Sequence, residues 1–163
     1  ISRGLVGSEM CIRDSTRTKD SATPVEIDIT QAPEQATITA GSTLSAMTVI
    51  NASNNSLTIS IDNQASAQLT LADGSYTRQE LAAHIESVIN GDATLIGREV
   101  SVSLASDALT ITSKSYGVSS QVASVAGTAT STLGFSGTES DVGLDVVGVF
   151  RVNGVEELSL IHI

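Results

Sequence analysis

Few side chains in this sequence could act as a nucleophile, a general base or a metal ligand. Cysteine occurs once, at Cys11, and histidine twice, at His84 and His162. Cys11 and His162 are the first candidates for thiolate or imidazole chemistry. His84 lies alone in a segment of helical periodicity, and such a histidine is more often a boundary residue than a catalyst. Once the two ends are set aside, the sequence predicts no catalytic, cofactor-binding or metal-binding residue.

The two ends differ from everything between them and are consistent with one inverted repeat of DNA. A possible coding sequence for residues 9–15 has a reverse complement that translates as residues 158–163, Leu-Ser-Leu-Ile-His-Ile. This DNA resembles the transposon end used to build sequencing libraries. We therefore interpret residues 1–15 and 158–163 as translated adapter, which is excluded before fold reasoning. On this interpretation Cys11 and His162 are foreign, and the remaining chain has no cysteine for disulfides, zinc sites or catalysis.

Acidic side chains are the remaining candidates for a site, above all for calcium. Those in or beside predicted turns are expected to bond the local backbone; they are Asp62, Asp73, Asp92 and Asp107. Neither an EF-hand loop nor a glycine-rich calcium nonapeptide occurs, so a calcium site would have to be assembled from separate turns. The aromatic side chains are expected to pack in satellite cores or hairpins; they are Tyr76, Tyr116, Phe135 and Phe150.

Composition disfavours several classes of partner. The formal net charge is -10 at pH 7, and a surface of this sign repels phosphate backbones, so nucleic acid is a poor partner. Aromatic residues make up only 2% of the chain and tryptophan is absent, which weakens any case for stacking on bases or sugars. No run approaches the roughly 18 apolar residues of a membrane span. We expect a β-rich, surface-exposed domain with no cofactor and no membrane partner.

The elements that must position these residues follow from hydrophobic periodicity. Residues 25–30 alternate strictly between apolar and polar side chains, which predicts a half-buried strand. Pro33 interrupts the alternation, and residues 36–41 resume it as a short strand. Further along, residues 121–127 predict another strand, and residues 144–157 predict a final strand or hairpin.

Two predicted hairpins flank one predicted helix. The first hairpin occupies residues 57–71 with its turn at 63–66, and the second turns at Ser106 and Asp107. Between them, Thr77 and Glu80 have the spacing of a capping box, and Asn90-Gly91 predicts a left-handed stop. The apolar stripe of this helix consists of Leu81, Ile85, Val88 and Ile89.

These elements predict an α+β fold, mainly antiparallel β with one capped amphipathic helix in a strand-strand-helix-strand-strand unit. The residues expected to hold this unit together are Leu57, Ile59, Leu69, Leu81, Ile85, Ile89, Val102, Leu104, Leu109 and Ile111. The predicted segments are adapter at 1–15, a β-rich segment at 16–50, the central unit at 51–127, a truncated C-terminal β segment at 128–157 and adapter at 158–163.

Three stretches of the sequence follow one another in a recognisable order. Residues 25–41 hold a strand, then Ile-Thr-Gln-Ala, then a second strand. Residues 69–90 hold a strand and a capped helix that ends in Ile-Asn. This second stretch continues over residues 100–120 with a strand, then Leu-Thr-Ile-Thr-Ser and a tail that ends in Ser-Ser. The third stretch, residues 143–157, begins Gly-Leu-Asp-Val-Val-Gly.

This order resembles the flagellar filament cap family, also called hook-associated protein 2. The middle stretch is similar to the flagellin hook IN motif of that family. The first and last are similar to its segments V-T-Q-L-A-x-A and G-x-D-V-A-G-x-I-N-G. The sequence departs from them at Pro33, at Val147, which stands for alanine, and at Phe150-Arg151, which is inserted.

The resemblance implies a non-enzymatic, structural part of the bacterial flagellum. It would be the head or leg region of a cap that forms a ring on the filament tip and helps flagellin subunits fold into place. The implied partners are flagellin and other cap subunits, in a homo-oligomer of the full-length protein. The implied location is extracellular, after unfolded export through the flagellar type III channel, with which the scarcity of cysteine is consistent.

Two other functions remain open at this point. The hook IN motif also occurs in flagellins and other hook-associated proteins, so the chain could be a surface domain of one of those. A secreted or phage-borne adhesion module that binds host surface glycans is the alternative from another class. Flanking sequence would separate the first alternative from a cap, and a glycan array would test the second.

Overall fold

The structure is a computed structural model that describes residues 25–152 and 155–157. In the described chain the elements are β1 (Val25–Gln31), β2 (Thr37–Thr39), β3 (Met47–Ile50), β4 (Ser56–Ile61), β5 (Gln64–Ala65), β6 (Leu69–Thr70), β7 (Gly74–Thr77), α1 (Arg78–Asn90), the 3-10 helix η1 (Ala93–Leu95), β8 (Val100–Ala105), β9 (Ala108–Ser113), β10 (Gln121–Ala126), β11 (Ser140–Val142), β12 (Val147–Val152) and β13 (Val155–Glu157). Every strand pair is antiparallel. The predicted α+β fold is therefore confirmed.

The described chain divides into two compact units. One contains β1, β12 and β13, which form a three-stranded sheet in that order. Its pairing of Ile27 with Phe150 confirms that residues 25–30 form a strand. For residues 144–157 the prediction left a strand or a hairpin open, and the structure has two paired strands, β12 and β13. The alternation predicted a buried face for this strand, but Ile29 is 41% exposed, so that face is not fully covered.

The other unit spans residues 34–144 and contains the remaining elements. Its sheets run in the orders β11-β10-β4-β5, with β6 also on β4, then β2-β9-β8, and finally β3-β7. Strand β9 is central in its sheet. Its first four residues are all buried, so neither of its faces lies fully in solvent. The residues predicted to form the core are buried except Leu104, which is partly buried against that core.

The two central hairpins form as predicted, but the first turn is displaced. It lies at Asp62 and Asn63, whose φ values are 49° and 64°, and not at residues 63–66. The second turn is at Ser106 and Asp107, with φ values of 49° and 68°. Two-residue hairpin turns of this kind require positive φ at both central positions, which Asn and Asp tolerate better than other residues that have a side chain.

The helix begins as predicted and ends differently. Thr77 is the N-cap, and its hydroxyl accepts from the Glu80 N–H while the Glu80 carboxylate accepts from the Thr77 N–H, so the capping box is confirmed. The predicted left-handed stop is wrong, since Gly91 has a φ of -85°. Its N–H still donates to the Ser87 carbonyl at 3.0 Å, so the helical hydrogen bonding runs through Gly91.

Candidate functional site

The residues first considered for chemistry do not converge in the structure. Cys11 and His162 lie outside the described residues. Between residues 25 and 152, and at 155–157, no three His, Cys, Asp or Glu side chains are placed to hold one metal ion. No helix in that part of the chain is long and apolar enough to cross a membrane. The candidates must therefore be assessed one by one.

His84 holds the segment that precedes β7. Its Nε2 accepts the Ala72 N–H at 3.0 Å, and its ring stacks on Tyr76 with centroids 5.3 Å apart and planes 9° from parallel. The Tyr76 hydroxyl donates to the Ala72 carbonyl at 2.9 Å. Two stacked rings thus bind both polar groups of one backbone residue, which is a structural role for His84.

Asp62 joins three elements that are distant in sequence. Its carboxylate accepts the Ser113 hydroxyl at 3.0 Å, the Ser115 hydroxyl at 2.7 Å and the Gln121 N–H at 2.9 Å. It therefore ties the β4–β5 turn to the end of β9 and the start of β10. Turn propensity predicted only a local role, and no sequence spacing could have indicated partners 51 to 59 residues away.

The other turn aspartates also bond nearby groups. Asp92 accepts the Thr94 hydroxyl at 2.6 Å and the Ala67 N–H at 2.8 Å, and the Thr94 hydroxyl is the main cause that lowers the pKa of Asp92. Asp107 lies 3.5 Å from the Arg78 guanidinium. Asp73 accepts the Asn55 amide at 3.4 Å. Each carboxylate is engaged in the fold rather than directed at a common ligand.

Glu139 lies in a small cradle of its own loop. Its carboxylate accepts the Ser136 N–H at 2.7 Å, the Gly137 N–H at 2.9 Å and the Ser136 hydroxyl at 2.9 Å. Hydrogen bonds donated to an ionised carboxylate stabilise the ionised form and so lower its pKa. The Ser136 N–H above all lowers the pKa of Glu139 from 4.5 to about 2. Glu139 was not among the candidates predicted from the sequence, although Ser136 three positions earlier is a local signal for such a turn.

The aromatic side chains have mixed environments. Phe135 is buried, with 5% exposure, which confirms the packing predicted for it. Tyr76 stacks on His84 as described above. Tyr116 is 55% exposed, so the prediction that it packs in a core is wrong; it lies in the loop after β9. The side chain of Phe150 lies outside what the structure describes.

Two clefts open on the surface of the larger unit. One, of about 270 Å³, is bordered by Asp62 and Ser115 together with the neighbouring charged residues. There the Lys114 ammonium binds the Glu99 carboxylate at 2.8 Å, which raises the pKa of Lys114 and lowers that of Glu99. The other, of about 440 Å³, runs between α1 and β8 and is lined by both polar and apolar residues. Both clefts offer binding surfaces on the described part of the chain.

Comparison with known proteins bears on the fold of the chain. No protein-family model and no curated protein matches the chain. The crystal structure of the D2–D3 domains of the flagellar cap protein FliD from Serratia marcescens matches with a TM-score of 0.51 and 17% identity. The match covers 86% of this chain and 79% of that chain. The resemblance noted in the sequence is thus confirmed at the level of fold, and this chain folds like the D2–D3 domains of a flagellar cap protein.

Proposed function

We propose that this chain is the head or leg region of a bacterial flagellar cap protein, which caps the filament and promotes the assembly of flagellin. The observation that carries the proposal is the fold shared with cap D2–D3 domains over 86% of the chain. The order of three cap-like sequence stretches supports it independently. A fold alone does not establish a function, so it is this combination that favours the cap.

The proposed role is non-enzymatic and depends on surfaces. One face of the β2-β9-β8 sheet carries paired hydroxyls: Thr37 and Thr112 are joined at 2.9 Å, and Thr39 is joined at 3.1 Å to Thr110, which is buried. Cross-strand threonine pairs stabilise a sheet while keeping its face polar. Such a face suits a domain that stands in solvent and meets other subunits through small polar contacts.

The proposed partners are flagellin and other cap subunits, with the full-length protein acting as a homo-oligomer. The proposed location is the outside of the cell, at the filament tip, after export through the flagellar type III channel. Nucleic acid is not among the proposed partners, because the net charge of -10 repels phosphate backbones.

A domain exchange tests the proposal. Residues 25–157 replace the D2–D3 region of the cap protein in a motile bacterium, and swimming and flagellin leakage into the medium are measured. We expect swimming above the level of the cap deletion and less leaked flagellin. The same exchange with Ile85→Asp, which disrupts the core, is the control and should behave as the deletion.

A flagellin surface domain would give the opposite pattern. Inserted in place of the variable domain of flagellin, the chain would then support normal filaments, whereas the cap exchange would leak flagellin as the deletion does. That pair of results would overturn the cap assignment.

A further inference from the structure

The backbone of β8 has an edge that faces away from β9. The Leu109 carbonyl and the Ser113 N–H of β9 bond Ala40 and Ala36 instead of β8. Their partners in the ladder, Leu104 and Val100, therefore direct their own backbone groups outward, as does Val102 between them. An outward row of N–H and C=O groups at a sheet edge is a template for another strand.

Helix α1 covers part of this edge with side chains. The Asn90 amide takes both backbone groups of Val100, accepting its N–H at 2.8 Å and donating to its carbonyl at 3.0 Å. The Glu86 carboxylate accepts the Val102 N–H at 2.8 Å. Four residues of helix rise about 6 Å, which is close to the rise of two residues of strand. Each turn of the helix therefore places one side chain beside one outward-facing strand residue.

The next position in this series has no polar side chain. Four residues before Glu86 the helix has Ala82, and the exposed neighbour is Ala83. Among the described residues, neither the N–H nor the carbonyl of Leu104 has a hydrogen-bond partner. The cleft of about 440 Å³ opens at this gap, with both alanines and Leu104 in its lining.

We propose that this gap is a docking site for an extended peptide segment that carries a basic side chain and pairs with Leu104 as an added strand. An extended chain supplies the carbonyl and the N–H that Leu104 lacks. Ala82 and Ala83 have no side-chain atoms beyond Cβ, and both line the cleft beside Leu104. The site concerns this groove alone and does not depend on the flagellar role.

Charge identifies the occupant as basic. Glu86 borders the gap, and only one of its carboxylate oxygens has a hydrogen-bond partner among the described residues. Lys114, a cation within electrostatic reach of Glu86, is bound to Glu99 at 2.8 Å. A lysine or arginine of the peptide therefore has a free carboxylate oxygen to bind. A second copy of this chain is disfavoured, since each copy has a net charge of -10.

Amide NMR on the full chain tests the site with a defined probe, the capped peptide Thr-Val-Lys-Val-Thr. We expect saturable shifts at the amides of Val102 and Leu104 and slower solvent exchange of the Leu104 amide. The same peptide with glutamate in place of lysine should bind about tenfold more weakly, because its charge repels Glu86. Equal binding of both peptides would overturn the assignment of a basic occupant.

Matched substitutions separate strand addition from loose adhesion to the groove. Ala83→Gln supplies a polar side chain to the uncapped position and should weaken binding of the lysine peptide about tenfold. Ala93→Gln makes the same change on η1, away from the groove, and should leave binding unchanged. A lysine peptide N-methylated at its central residue loses the donor that pairs with Leu104 and should also bind weakly. The proposal would be overturned if neither Ala83→Gln nor the N-methyl group weakened binding of the lysine peptide. The absence of a chemical shift change at the Leu104 amide would overturn it as well.

Discussion

Charged and polar side chains in this protein mainly complete the backbone hydrogen bonding of turns and edges. Glu139 binds two N–H groups of its own loop, Asp92 binds the Ala67 N–H, and Glu86 binds the Val102 N–H. Charge-assisted bonds of this kind are shorter and stronger than neutral ones. These three carboxylates are therefore engaged in holding loops and the edge of a strand.

The loop of Glu139 should show this in its pH dependence. Because folding lowers the pKa of Glu139 from 4.5 to about 2, its stabilising contribution is fully present above the ordinary carboxyl pKa and is lost as the pH falls through about 2. Glu139→Gln should therefore lower the thermal midpoint at pH 7 and make no difference near pH 2. If the thermal midpoints of the two proteins differed by the same amount from pH 7 to pH 2, the hydrogen bonds of the Glu139 carboxylate would not be the source of the stability.

His84 offers a second test at this scale. His84→Phe keeps the ring on Tyr76 but removes the acceptor of the Ala72 N–H, so we expect a loss of about 0.5–1.5 kcal/mol in urea unfolding. His84→Ala should lose more, because the ring contact goes as well. Gln79→Ala on the exposed side of the same helix is the control. Equal losses in both His84 variants would show that the stack contributes nothing.

The helix and its two flanking hairpins act as one packed element. Leu81, Ile85 and Ile89 are fully buried on one stripe of α1, while Glu86 and Asn90 on the next stripe bind the edge of β8. One helix thus closes the core with one face and covers a strand edge with another. A change on the buried stripe should affect the whole unit and not only the helix.

Ile85→Asp should unfold the larger unit. Burial of this side chain, which has 0% exposure, stabilises by about 1.5–3 kcal/mol, and an unpaired carboxylate in its place adds a further penalty. The sum is a large part of the stability of a typical domain. Circular dichroism should show no cooperative transition, whereas Ser87→Asp on the exposed side should melt normally. Unchanged melting of Ile85→Asp would mean that the buried face is assigned wrongly.

At the scale of the whole molecule, the described chain contains sheets, short turns and a single helix of 13 residues. Coiled-coil association requires apolar heptads over several turns, and no element between residues 25 and 152 provides them. The acidic net charge also opposes tight self-association.

Residues 16–157 alone should therefore sediment as a monomer or a weak oligomer. The measurement is sedimentation velocity over a range of concentrations, at moderate salt so that charge repulsion does not mask association. The Ile85→Asp variant provides the unfolded reference. A tight ring formed by residues 16–157 would contradict the prediction and would require an interface among the elements described here.

The sequence by itself determined the features that depend on neighbouring residues. The alternation of residues 57–61 and 100–104, the Thr77 capping box and the turn at Ser106-Asp107 are local, and each was predicted correctly. Periodicity reports which face of an element is apolar, and short-range side-chain bonds report where it begins. The cap-like order of the three stretches also predicted which family of folds the chain resembles.

Only the tertiary structure decided what depends on distant residues. It placed Asp62 against Ser113 and Gln121, put Tyr116 in solvent, continued the helix through Gly91 and left Leu104 uncapped beside Ala82. None of these follows from local pattern, because each is set by which element packs alongside. A polar group bonds to a partner that is near in space, whatever the distance along the chain between them. The same holds for the residues that cover a side chain.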